Sequence, residues 1–71
     1  MSLVNGSREY YDLKEHAERI YRDAANARST SERRRIAKRG EALADRMEEE
    51  YGVGDPEVRY IIEQFYLRRL D

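Results

Sequence analysis

Seventy-one residues make one domain, near the size at which a single core only just offsets chain entropy of about 1.5 kcal/mol per ordered residue. The absence of cysteine excludes a disulfide framework and a thiolate metal site, and 41% charged residues with a formal net charge of −1 single out no polyanion partner by global charge. Apolar runs of two or three residues exclude a membrane span, and Met1 to Ser7 lacks the apolar block of a signal peptide, so a cytoplasmic setting is the default expectation.

Residues 1–7 contain an Asn-Gly turn signal and no helical periodicity, and read as a flexible lead-in to a bundle domain over 8–71. Ser7 is the expected N-cap of a first helix over about 8–28. In it Tyr10, Leu13, Ala17, Ile20, Ala24 and Ala27 recur at steps of three and four, the spacing of a helical seam. Alanine at half of these positions lets a neighbouring helix come close while burying little apolar area per turn.

A short polar connection leads to a second helix over about 32–51, with Ser31 or Thr30 as the expected cap and no capping box in either register. Its inner face reads Ile36, Ala37, Gly40, Leu43, Ala44, Met47 and Tyr51. Gly40 costs about 1 kcal/mol against alanine in mid-helix, and the expected compensation is close contact with the alanine seam of the first helix. Gly52 suits the left-handed position that ends a helix. Asp55, Pro56 and Glu57 then supply cap, first helical position and an acidic first turn for a third helix over about 56–70.

At about 100° per residue, Val58, Ile61, Ile62 and Phe65 share one arc of the third helix, which Tyr66 and Leu70 widen, whereas Tyr60 and Leu67 fall on its far side. Short connections join antiparallel neighbours, so the expected fold is an all-α, up-down-up antiparallel three-helix bundle. Two slender helices leave nothing obvious to cover the far side of the third, which points to a docking face. Six tyrosines in a chain without tryptophan strengthen this expectation, because tyrosine offers contact area with a polar handle. The expected protein-binding residues are Tyr60, Tyr66, Leu67, Leu70, Tyr11 and Tyr21.

Charge is segregated along the chain. Arg28, Arg33, Arg34, Arg35, Lys38 and Arg39 stand against Glu32, a local balance of +5, and seven carboxylates between Glu41 and Glu57 stand against Arg46, a balance of −6. Antiparallel packing would bring Arg19, Arg22, Arg68 and Arg69 to the basic end. Cations at the start of the second helix oppose its macrodipole, so compensation is expected from Glu18, Asp23 and Asp71 or from an anionic partner, nucleic acid or acidic protein. The six cations from Arg28 to Arg39 are the candidates for such a partner.

Catalytic chemistry finds little support. His16 is the only histidine, and with Asp12 it forms an incomplete metal site and an unoriented base. No serine has a base at a useful spacing, and Glu48, Glu49 and Glu50 point in three directions on a helix. No catalytic residue, metal, cofactor, small-molecule substrate or membrane is expected.

Two resemblances bear on function. Ile36, Leu43, Ala44, Asp45 and Met47 resemble the apolar and small-Asp pattern of a BH3 helix, which implies entry into a Bcl-2-type groove, but the pattern's central leucine would fall at Gly40. The Gly-Val-Gly-Asp-Pro-Glu-Val opening of the third helix, the short loops and the alternating Glu and Arg faces resemble computationally designed helical mini-proteins. The leading expectation is a non-catalytic, designed or engineered helical domain that binds a protein or a second copy through the outer face of its third helix. The alternatives are a nucleic-acid or acidic-partner binder using the basic end, and a monomeric scaffold without a partner.

Overall fold

A computed structural model of the chain describes residues 1–70. Its elements are α1 (Arg8–Ala25), α2 (Thr30–Tyr51) and α3 (Pro56–Gln64). Each helix packs on the other two, and no strand occurs among the described residues. Asp71, expected as an ion-pair partner, lies outside the described residues.

The helix starts are set by side chains that accept from orphan backbone donors. Ser7 Oγ accepts from the Tyr10 amide at 3.2 Å, as expected. The second helix begins earlier than Ser31 or Thr30 would place it. Ser29 is the cap, its Oγ accepting from the Glu32 amide at 3.1 Å, while Glu32 Oε2 accepts from the Arg28 amide at 3.2 Å. With Ser29 as cap, Glu32 stands at the third helical position, giving the Ser-x-x-Glu spacing, but its side chain reaches the Arg28 amide one residue before the cap and not the cap's own amide. The first helix correspondingly stops at Ala25, short of position 28.

Asp55 does more than cap α3. Oδ1 accepts from the amides of Glu57 and Val58, both at 3.1 Å, and Oδ2 accepts from the amide of Leu3 at 3.0 Å, although the residue is buried. The third bond ties Leu3, which the sequence reading left outside the core, into the apolar cluster. Of the rest of that cluster, the expected members are Tyr10, Ala17, Ile20 and Ala24 from α1, Ile36, Ala37, Leu43, Ala44 and Met47 from α2, and Val58, Ile61 and Phe65 from the last segment, while Leu67 and Leu70 join it unexpectedly. Leu13, Ala27, Tyr51 and Ile62 are half-buried around it.

The main departure is at the end of α3, which stops at Gln64 and does not run to 70. The Tyr66 amide donates to the Glu63 carbonyl at 3.3 Å, and the Leu67 amide donates to the Ile62 carbonyl at 3.1 Å. Tyr66 has a φ of 50°. These are the paired bonds and left-handed residue of a Schellman ending, with tyrosine where glycine is usual. On a continued helix Leu67 would point away from the core. The reversal turns it inward, so Leu67 is fully buried and Leu70 is buried as well, and the expected outward placement of both is corrected. The magnitudes favour the reversal: burying each leucine contributes about 1.5–3 kcal/mol, against about 1–2 kcal/mol for one left-handed non-glycine residue.

Gly40 makes this return possible. A Cβ there would stand 2.8 Å from the Leu67 carbonyl oxygen and 2.9 Å from Leu70 Cδ1. The expected contact of Gly40 with the alanine seam of α1 is therefore replaced by contact with the backbone that follows α3. Arg68 holds the same segment from outside, reaching Asp45 Oδ1 at 3.0 Å and also Glu48.

Helix propensity alone predicts that Gly40→Ala raises stability by about 1 kcal/mol. The close approach of a backbone oxygen reverses the sign, and a loss of about 1–3 kcal/mol in urea unfolding is expected, the range of overpacked cores. Asp55→Ala is expected to cost about 2 kcal/mol through its lost cap and orphaned amides. In a double-mutant cycle with Leu3→Ala the two losses should fall short of additivity by at least ~0.5 kcal/mol, because the first change already releases Leu3.

Candidate functional site

The structure divides the six residues expected to bind a protein. Leu67 and Leu70 are inside. Tyr60 is about half-exposed beside Pro56, Arg59 and Glu63, and Tyr11 is exposed with its ring edge-on to Tyr10 at 5.4 Å. Tyr21 and Tyr66 are brought together. Their ring centroids are 6.1 Å apart with planes inclined by 27°, and Tyr21 is also edge-on to Phe65 at 6.1 Å. Phe65 is buried, whereas Tyr21 is 40% and Tyr66 50% exposed, so the row runs from the core to the surface.

Beside this row lies an open groove of about 280 Å³ lined by Tyr21, Ala24, Ala25, Arg33, Tyr66, Arg69 and Leu70. Its construction follows from the local sequence. Arg33 stands in the first turns of α2, set there by the Ser29 cap, and Arg69 follows the reversal, where its amide donates to the Tyr66 carbonyl at 2.8 Å. Sequence reasoning placed Arg69 near the basic end but not in a site, because it read α3 as one uninterrupted rod. The signal that would have found it is the inward demand of Leu67 and Leu70, which no straight helix can meet.

Ion pairing sorts the remaining cations. Arg19 pairs with Glu15, Arg22 with Glu18, and Arg39 with Asp23 at 3.3 Å. Arg68 is held by Asp45 and Glu48. Of the six candidates for an anionic partner, Arg39 is thus paired. Arg28, Arg33, Arg34, Arg35 and Lys38 are exposed, and none reaches a carboxylate within ion-pair distance among the described residues. The same holds for Arg69.

Two titrating groups sense the two signs of charge. Desolvation, followed by the charges of Arg46, Arg19 and Arg39, lowers the His16 pKa below the usual imidazole value. Desolvation, followed by Glu50, Glu9 and Asp55, raises the Tyr51 phenol.

No protein-family model, curated protein or solved structure matches this chain. Among the described residues no helix is long and apolar enough to cross a membrane.

Proposed function

We propose that the chain is an up-down-up antiparallel three-helix bundle that binds an anionic partner through the basic surface at the start of α2, without catalysis. Connections of four residues, 26–29 and 52–55, support the antiparallel arrangement. The observation that carries the functional reading is the set of cations that reach no carboxylate within ion-pair distance among the described residues, with Arg33 and Arg69 beside the exposed tyrosine pair. Cations packed at a helix start repel one another and oppose the macrodipole, so an anion there relieves both effects. A net charge of −1 does not oppose this, because local recognition follows the charge of the surface and not of the whole chain.

A protein-docking role for the outer face of α3 now rests on Tyr60, since the leucines that suggested it are covered within the chain. The basic surface is the better supported of the two.

The test is retention on immobilised heparin, a polyanion without bases. The wild-type chain is expected to bind at low salt and elute as salt rises, and Arg33→Glu with Arg69→Glu to elute in the void volume with helix content unchanged by circular dichroism. Elution of both proteins at the same salt would contradict the proposal.

A further inference from the structure

We infer that the ligand of the Arg33 and Arg69 groove is a single-stranded nucleic acid, with a base on the exposed face of Tyr66 and neighbouring phosphates on the two guanidiniums. The inference rests on the anionic-partner reading above and adds what that partner must be.

The first ground is the conformation of Tyr66. It is the single non-glycine residue with a positive φ among the described residues, at a helix ending that glycine or asparagine would satisfy without strain. Its side chain does not repay that strain by burial, because the ring is half-exposed. A strained backbone presenting an exposed ring points from the observed outlier to a role for the ring. The second ground is rigidity. The reversal bonds fix the backbone of Tyr66, and Tyr21, backed by Phe65, fixes the inner side of its ring. A half-exposed ring, backed by Tyr21 and lining the same groove as Arg33 and Arg69, offers a stacking platform for bases, which every base can use.

Other anions fit less well. An acidic peptide would engage the arginines and has no use for the ring face. A duplex hides its base faces and needs a broad positive surface, whereas Asp45 and Glu48 stand close by on Arg68. The groove, at about 280 Å³, is just smaller than ligand sites of ~300–1,000 Å³, so it can hold only a small part of a longer ligand.

The experiment is fluorescence anisotropy with a labelled oligothymidylate of about eight nucleotides, within the range of single-strand site sizes. Competition by inorganic polyphosphate, polyglutamate and a duplex of the same length completes it. The oligonucleotide is expected to bind more tightly than all three competitors. The slope of log K on log salt should be about −1.4, which is −0.7 for each of two phosphates. Tyr66→Gly, which keeps the left-handed ending and removes the ring, should weaken oligonucleotide binding about tenfold. Tyr66→Phe should bind like the wild type. Equal binding of polyphosphate or polyglutamate, preference for the duplex, or full oligonucleotide binding by Tyr66→Gly would overturn the nucleic-acid inference and leave the anionic surface standing. No retention on heparin and no oligonucleotide binding would overturn both.

Discussion

Gly40 has no side chain, and the Leu67 carbonyl oxygen lies 2.8 Å from where a Cβ would stand. The conformation that follows α3 depends on this close approach. With the space open, the chain can turn back after Gln64, bury Leu67 and Leu70 against α2, and let Arg68 reach Asp45 and Glu48. With the space filled, the two leucines must shift outward or the second helix must move away. The surface pairs of Arg68 are worth only about 0.2–1 kcal/mol each, so leucine burial, not ion pairing, dominates the reversal.

The same constraint arranges the candidate site. Because Leu67 faces inward, the preceding residue takes the left-handed position, and Tyr66 is presented at the surface against Tyr21. Because the chain then doubles back, Arg69 meets Arg33 of α2 across the groove. A continuous third helix would carry its tyrosines and leucines along a docking face. The reversal exchanges that face for an aromatic and basic corner.

Most of the fold was legible in the sequence because it is written in spacings. The α1 seam, the inner face of α2, and the Asp55 and Ser7 caps need only 3.6-residue periodicity and local capping chemistry. Leu3 was not legible, since its burial depends on a bond to Asp55 across 52 positions of sequence. The reversal after Gln64 was hidden for a related reason. No glycine or proline marks it, and the burial of two leucines outweighs the local cost of a left-handed tyrosine. Of the site, the exposed tyrosines Tyr21 and Tyr66 and the basic run from Arg28 were visible separately. That they meet was not, because their meeting follows from the hidden turn. The sequence did hold one clue, in that Leu67 lay on the wrong side of a straight helix.

Direct observation of the contact between Gly40 and the returning chain tests this account most sharply. In nuclear Overhauser spectra of the native protein, the Hα protons of Gly40 should give cross-peaks to the Leu70 δ-methyl groups, and the Leu67 amide should resist exchange with solvent. Unbroken helical connectivities from Gln64 through Leu70, with no cross-peak from Gly40 to Leu70, would contradict it.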